Sequence, residues 1–172
     1  MNKKLYSLLS VFLMAIVMAA PVSAGGAVKL SGVSFRLGSL IADGTLSGLG
    51  NADVSVVIDA SGIPAITCVN FGGNQVPGQS YPKVAASGSQ FMDGDSPVRK
   101  NGKSPFGVET VDPETIPWDE AGCPSSNWIG HIAFIFWEDA TISVYDASTQ
   151  VLLLQREYSC KTTLTSVSCM PK

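Results

Sequence analysis

Short stretches in which apolar and polar residues alternate recur along the chain. In one of them Val33, Phe35 and Leu37 alternate with Ser34 and Arg36. This period of two predicts half-buried β-strands. No window after the first 24 residues keeps a period of 3.6 residues, so no helix is predicted there. We place strands at residues 28–37, 40–47, 53–59, 64–69, 82–88, 105–111, 128–137, 140–146 and 150–158.

Two runs, residues 132–137 and 151–154, are apolar on both faces, as in central or doubly covered strands. Turn residues such as Ser61-Gly62 and Glu138-Asp139 separate the predicted strands. About eight or nine short strands with frequent turns predict an all-β fold, an antiparallel β-sandwich of immunoglobulin-like architecture. The cysteine–tryptophan–cysteine arrangement of antibody domains is not evident, so the likeness to immunoglobulins is one of architecture only. Trp137 is expected in the core.

The first 24 residues have the pattern of a secretory signal peptide. A basic start precedes an apolar run over residues 5–20, and small residues follow up to Ala24. We therefore predict cleavage after Ala24 and a secreted or extracytoplasmic domain, periplasmic or at the cell surface, of residues 25–172. The apolar run is shorter than the roughly 20 residues of a membrane span. A retained leader is the alternative, and after cleavage no span is expected.

Loss of the leader makes the chain more acidic. It removes Lys3 and Lys4 but no acidic residue, so nine basic and 14 acidic residues remain and the net charge becomes −5. An acidic domain without a basic cluster is a poor partner for nucleic acid. The expected partners are instead an extracellular glycan or a protein surface.

The four cysteines follow the predicted leader, where oxidation can pair them. They are Cys68, Cys123, Cys160 and Cys169. Three pairings are open, and no spacing resembles a zinc site. We favour Cys160 with Cys169, which would close a C-terminal extension of residues 159–172, and Cys68 with Cys123. Both bridges would be structural.

Two long irregular segments, residues 70–82 and 112–127, each adjoin one cysteine of the favoured 68–123 pair. That bridge would hold both loops against the same end of the sandwich, and long loops on a rigid scaffold often carry binding sites. The candidate ligand-binding residues in or beside these loops are Trp118, Trp128, Tyr81, Phe71, Asn74 and Gln79. The alternative is that the aromatic side chains only cover the ends of the sandwich.

The second loop is acidic. Its carboxylates are Asp112, Glu114, Asp119 and Glu120. Hard oxygen ligands clustered on a loop suit calcium, which makes them weak candidates for a calcium site. We expect these carboxylates to face water and no cofactor to be bound, with calcium as the alternative.

A hydrolase is a further alternative. His131 is the single histidine, and Ser125, Ser126, Asp119 and Asp139 supply the other residue types of a Ser-His-Asp triad. No GxSxG motif occurs, however, and His131 leads into an apolar strand. A carboxylate pair from the acidic loop would need a separation that sequence does not fix. We therefore expect no catalytic residues.

Three segments resemble a group of small secreted bacterial β-sandwich proteins of uncharacterised function. They are Gly44–Asn51, Cys68–Gln79 and Cys123–Trp128, with the pattern CxNxGGNxxPGQ followed by CPxxNW. The resemblance extends over about residues 31–158. It implies an extracytoplasmic location, a β-sandwich and the pairing of Cys68 with Cys123, and it carries no catalytic residue or known ligand. The extension with Cys160 and Cys169 lies outside the shared pattern.

Three functional hypotheses follow, since a sandwich fold by itself implies none. The first is a secreted non-enzymatic module that binds a surface ligand, glycan or protein, through the two long loops. The second is a structural or self-assembling component of the cell envelope or matrix, joined through strand edges such as residues 151–154. The third is the hydrolase.

Overall fold

The computed structural model describes residues 27–98 and 102–172, and this part of the chain is all β. The predicted signal peptide lies outside the described residues. Ten strands are present. They are β1 (Lys29–Arg36), β2 (Ile41–Ser47), β3 (Val54–Asn70), β4 (Gln75–Pro77), β5 (Val84–Met92), β6 (Lys103–Glu109), β7 (Thr115–Ile116), β8 (Trp128–Asp146), β9 (Leu152–Thr162) and β10 (Val167–Pro171). A search of the described residues for a helix long and apolar enough to cross a membrane finds none.

The strands form two antiparallel sheets, which confirms the predicted β-sandwich. One sheet has the order β1-β2-β6, and the other has the order β10-β9-β8-β3-β4, with β5 also paired to β3 and β7 to β8. Alternate residues of β3 are buried, beginning with Val54, Val56 and Ile58. This alternation directs one face of the strand into the core between the sheets. Trp137, 1% exposed, is a core residue as predicted.

Strands β3 and β8 are much longer than the sequence predicted. They pair along their whole length, from Val54 opposite Asp146 to Asn70 opposite Trp128. The turns expected at Ser61-Gly62 and at Glu138-Asp139, each between two short strands, are therefore wrong. The pairing passes through these positions with a shift of register between Ser61 and Gly62. A β-bulge allows a long strand to bend without ending, which period counting does not distinguish from a turn.

Gly62 shows why this position is a bulge. A side chain there would collide with the backbone of Phe136 on the neighbouring strand. Glycine inside a strand often marks such a close approach of two backbones. Gly62, which resembles a turn residue in the sequence, therefore allows β3 and β8 to remain paired past this position.

The β1-β2-β6 sheet covers only one half of this long strand pair. The main core contains Leu46 of β2 and Leu40 of the preceding turn, together with alternate residues of β3 from Val54 to Ala60. A second, smaller core lies further along the pair. Its buried members are Ile66, Cys68, Ile116, Ala121 and Cys123. We call residues 65–70 of β3 and 128–134 of β8 the distal arm, which β4 and β7 flank.

The two fully apolar runs behave differently from the prediction. Within residues 132–137, Ile135 is buried, but Phe134 and Phe136 are only half-buried and contact each other at 5.0 Å between ring centroids. Residues 151–154 are not doubly covered: Val151 is 56% and Leu152 45% exposed. Val151 precedes β9, and from Leu152 to Leu154 this strand is at the edge of the sheet, because β10 pairs only with its later residues, Tyr158–Thr162.

The C-terminal extension is the hairpin of β9 and β10. Cys160 lies opposite Cys169 in the register and forms a disulfide with it, as favoured from the sequence. Strand β10 itself was not predicted, because its few apolar residues are too short a run to show a period. The Lys172 ammonium, 3.0 Å from Asp139, holds the end of the hairpin against β8.

The turn between β8 and β9 is organised around one carboxylate. Asp146 Oδ1 accepts hydrogen bonds from the backbone and hydroxyl groups of both Ser148 and Thr149, at 2.7–3.1 Å. These donors, the Ser148 hydroxyl first among them, lower the pKa of Asp146 from 3.8 to about 2. Hydrogen bonds to the charged form of a carboxylate have this effect.

Asp146 should therefore make stability depend on pH at the acidic end. Because its pKa is lower in the folded state, its contribution is present in full above the ordinary value of 3.8 and is lost as pH falls through about 2. Urea unfolding of Asp146→Asn between pH 2 and 7 should show a lower stability at pH 7 and a shallower loss on acidification than the parent. Ser148→Ala, which keeps the carboxylate, should fall between them. Identical pH profiles for parent and Asp146→Asn would contradict this role.

Candidate functional site

An open cleft of about 380 Å³ lies at the end of the distal arm. Phe71, Trp118 and Trp128 line it, so three of the four aromatic candidates come together there. Asn70 and Asn127 contribute amide groups to the same lining. We call this pocket the aromatic cleft. It joins the two long loops that the sequence analysis selected.

A tight turn places Phe71 at the rim. The Asn70 side-chain oxygen accepts hydrogen bonds from the backbone of Gly72 at 3.0 Å and of Asn74 at 2.9 Å. Gly73 takes a φ of +77°, a left-handed conformation that favours glycine. Phe71 stands at the tip of this turn, 95% exposed. The turn orders the backbone so that an apolar ring faces solvent at the rim of the cleft.

A second turn places Trp118. The Pro117 carbonyl accepts a hydrogen bond from the Ala121 N–H at 2.9 Å, and the Trp118 carbonyl accepts one from the Cys123 N–H at 2.8 Å. Gly122, at a φ of +66°, closes the turn where a side chain would collide with Ser80. The Trp118 side chain remains 39% exposed at the cleft.

The disulfide between Cys68 and Cys123 links these two turns. Cys68 lies two residues before Asn70, and Cys123 donates the backbone hydrogen bond to Trp118. Both cysteines are buried in the second core beside Ile116 and Ala121. The pairing predicted from the sequence is confirmed, and it fixes the Phe71 turn and the Trp118 turn relative to each other.

Trp128 has a partly structural position. It is half-buried and packs against the second core, and its backbone N–H donates to the Ser125 carbonyl at 3.0 Å. It therefore lies deeper in the site than Phe71 and Trp118, which project further into solvent.

The remaining candidates lie elsewhere. Tyr81 is 66% exposed and, like Asn74 and Gln79, is not part of the lining of the aromatic cleft. Sequence reasoning selected Asn74 because it lies in the loop, but its backbone closes the turn through Asn70. Asn70 was not selected as a site residue. The signal for it was the Asn-x-Gly-Gly-Asn spacing, which is typical of an asparagine-capped turn.

Two apolar lining residues, Val69 and Ile129, were also missed. They are paired across β3 and β8, on the sheet face opposite to Cys68. Val69 and Ile129 come together only because β3 and β8, which are distant in sequence, pair with each other. The alternation of apolar residues within one strand does not predict that pairing.

The four acidic candidates are spread over different surfaces. Asp112 accepts a hydrogen bond from the Thr110 hydroxyl at 2.6 Å, and burial raises its pKa. Asp112 and Glu114 line a second cavity of about 400 Å³, whereas Asp119 and Glu120 are exposed on the Trp118 turn. Over the described ranges, no three or more His, Cys, Asp or Glu side chains form a group that could hold a metal ion.

His131 is exposed and lines both the aromatic cleft and the second cavity. Ser126 lines the same cleft. Asp139 is engaged elsewhere, by the ammonium groups of Lys83 at 2.7 Å and Lys172 at 3.0 Å, and these contacts lower its pKa. Because Asp139 lies eight positions along β8 from His131, it does not orient this imidazole.

Comparisons with known proteins add little. No protein-family model matches the chain, and no curated protein matches it. One similar solved structure is a calcium binding mutant of Bacteroides uniformis beta-glucuronidase 2, at 10% identity and a TM-score of 0.30. The match covers 80% of this chain and 13% of that one, so the chain spans a small fraction of that enzyme's length. A likeness this weak carries no argument about activity, ligand or metal.

The disulfide at the cleft should be the main stabiliser of the distal arm. Replacing Cys68 and Cys123 together by alanine opens a loop with a sequence separation of 55. Chain entropy then predicts a loss of about 4 kcal/mol in the free energy of unfolding, measured by urea denaturation. Limited proteolysis should cut first in the two loops at the distal arm that the bridge joins, residues 70–82 and 112–127.

The second bridge supplies the matched control. Replacing Cys160 and Cys169 by alanine, with a separation of nine, should cost about 2.5 kcal/mol and leave the proteolysis of the distal arm unchanged. Equal stability losses together with an uncut distal arm in the Cys68/Cys123 variant would show that the bridge does not hold the cleft.

Proposed function

We propose that this protein is a secreted, non-enzymatic β-sandwich module that binds glycan chains on a surface through the aromatic cleft. The observation that carries the proposal is the convergence of Phe71, Trp118 and Trp128, from separate segments of the chain, on one open cleft. Phe71 and Trp118 keep exposed ring surface at this cleft, which a ligand can cover.

The chemistry of the lining favours a sugar. A pyranose ring presents a face of C–H groups, which an aromatic ring can cover, and a rim of hydroxyl groups, which amides and hydroxyls can bind. Phe71 and Trp118 supply exposed rings, and Asn127 supplies a polar group beside them. A volume of about 380 Å³ lies in the usual range for small-ligand sites. A stable protein interface needs roughly 800 Å² from each partner, more than such a cleft offers.

The site is organised before any ligand arrives. The Asn70 side chain holds the Phe71 turn, and the Cys123 backbone holds the Trp118 turn. The Cys68–Cys123 bridge joins the two. Because these turns are already ordered in the free protein, binding does not carry the entropic cost of ordering them, and less affinity is lost.

Secretion and the lack of catalysis are part of the same proposal. The leader pattern of residues 1–24 and the two disulfides are compatible with an oxidising, extracytoplasmic compartment. The lining of the aromatic cleft contains His131 but neither aspartate nor glutamate. It therefore lacks the carboxylate pair by which most glycosidases cut a glycosidic bond.

The binding role can be tested with the oxidised protein and suspensions of cellulose, chitin and mannan, alongside isolated cell envelopes. Phe71→Ala and Trp118→Ala should each weaken retention about tenfold, roughly 1.4 kcal/mol, because each removes one stacking face. Trp128→Ala is a poorer probe, since this ring also packs against the second core. Depletion isotherms give the affinity, and circular dichroism checks that each variant is folded.

Tyr81→Ala is the matched control. It removes an aromatic side chain that is also exposed but lies outside the lining of the cleft, so retention should not change. Unchanged binding in folded Phe71→Ala and Trp118→Ala would exclude the cleft as the site. Retention on envelopes alone, abolished by protease treatment of the envelopes, would indicate a protein partner instead.

A second function, self-assembly, is supported by a different observation. The start of β9 has no neighbouring strand on the side away from β8 in the part of the chain that the structure describes, and Leu152 and Leu153 are 45% and 37% exposed there. Open strand edges with apolar side chains promote pairing between copies.

Assembly through this edge should depend on concentration and on the two leucines. Light scattering after size exclusion, over a hundredfold range of concentration, should show oligomers for the parent and monomers for the Leu152→Lys, Leu153→Lys variant, because lysine on an edge opposes pairing. A parent that remains monomeric throughout would remove this candidate.

A further inference from the structure

We infer that the aromatic cleft selects uncharged glycan chains and excludes polyanionic ones such as uronic-acid polymers. This inference rests on the proposed function and narrows it to one chemical class of ligand. It rests on the charge of the residues that line the cleft and of those around it. The aromatic residues alone would not distinguish neutral from charged glycans.

The lining of the cleft has no fixed charge. Ten of the residues that the structure describes line it, and none of these is an aspartate, glutamate, lysine or arginine. A carboxylate or sulfate group that enters such a site gives up water without gaining a cationic partner, which is costly. Strong anion sites instead use the charge-assisted hydrogen bonds of arginine or lysine. Hydroxyl groups carry no such penalty, because neutral donors and acceptors satisfy them.

The polar groups in the lining match neutral hydroxyls. The Asn70 oxygen is already engaged by the backbone of Gly72 and Asn74, which leaves the amide nitrogen as its potential contact group. Ser126 and Asn127 are exposed and offer a hydroxyl and an amide. Together these groups can donate to and accept from a sugar rim without favouring a charge.

The surroundings of the cleft are acidic. Asp119 and Glu120 directly follow Trp118 and are exposed. The second cavity shares His131 with the cleft and carries Asp112 and Glu114. The negative potential of these carboxylates therefore repels an anionic polymer as it approaches, most strongly at low ionic strength.

The positive side chains whose contacts are established lie elsewhere on the surface. Lys83 and Lys172 are both bound to Asp139, and Lys83 also lies 3.3 Å from Glu138. Arg36 is paired with Asp43 in the β1-β2-β6 sheet. None of the three lines the aromatic cleft or the second cavity. These cations therefore do not offset the acidic surroundings of the site.

The test compares soluble glucomannan and hydroxyethyl cellulose with alginate and polygalacturonate in affinity gels at 20 and 300 mM salt. We expect neutral chains to bind at least tenfold more tightly than anionic chains at low salt. The difference should shrink at high salt as the acidic surroundings are screened. Chitosan serves as a cationic comparison: the same acidic surroundings should favour it at low salt, and repulsion of chitosan as strong as that of alginate would contradict the electrostatic exclusion of anionic chains.

One substitution isolates the role of the surroundings. Glu120→Lys, beside Trp118, should improve binding of alginate several-fold with little change for glucomannan. Asp95→Lys makes the same change of charge at an exposed turn that does not line the cleft, so it should leave the ratio unaltered. An equal effect of both variants would assign the selectivity to net charge rather than to the cleft, which would contradict the inference.

The outcomes separate this inference from the function on which it rests. Alginate binding that matches glucomannan and is lost in Phe71→Ala would overturn the selection but support a glycan-binding cleft. Binding of every polymer that is unaffected by Phe71→Ala and Trp118→Ala would instead overturn the cleft as the glycan site.

Discussion

The unbroken antiparallel pairing of β3 with β8 is the constraint on which the rest of the structure depends. One half of this long pair is covered by the β1-β2-β6 sheet and forms the main core. The other half extends beyond that sheet as the distal arm. An uncovered strand pair cannot bury enough apolar surface to be stable alone. The arm is therefore completed by β4, β7 and the second core around Cys68 and Cys123.

The bridge that stabilises the arm also builds the cleft. A hydrophobic cluster of five buried residues is small, and a covalent link offsets the weakness of a small core. The disulfide joins the segments that carry Phe71 and Trp118. It therefore both stabilises the distal arm and fixes the positions of these two residues. The turns then hold exposed aromatic rings at fixed positions, which a longer free loop would not do.

Much of the fold could be predicted from the sequence, because its causes are local. Alternation such as Val33, Phe35 and Leu37 depends on the strand alone, and β1 begins and ends within one residue of its prediction. The failures involve partners distant in sequence. Gly62 has the signature of a turn, but its role is set by the backbone of Phe136. Val151 and Leu152 are apolar but exposed, since their burial depends on where β10 stops pairing.

The residues of the candidate site likewise divide into those that could be predicted from the sequence and those that could not. Phe71, Trp118 and Trp128 could be chosen because aromatic residues in loops beside paired cysteines are visible in sequence. Which of the nearby residues join them could not be predicted, since Tyr81 lies in the same loop as Phe71 and yet outside the lining. The difference is the Asn70 turn, which reverses the chain after Phe71 and leads it away through β4.

For the glycan-binding role proposed above, the position of the cleft makes the charge of a ligand a stronger basis for selection than its shape. A pocket at the open end of an arm presents little wall to a long polymer, so steric exclusion is weak. Electrostatic repulsion acts over about a Debye length, roughly 10 Å at 0.1 M salt, and so extends beyond the lining itself. Asp119 and Glu120 directly follow Trp118, and Asp112 and Glu114 line the cavity that shares His131 with the cleft. Under that proposal, an uncharged lining with acidic residues nearby would discriminate between chains that stack equally well on Phe71 and Trp118.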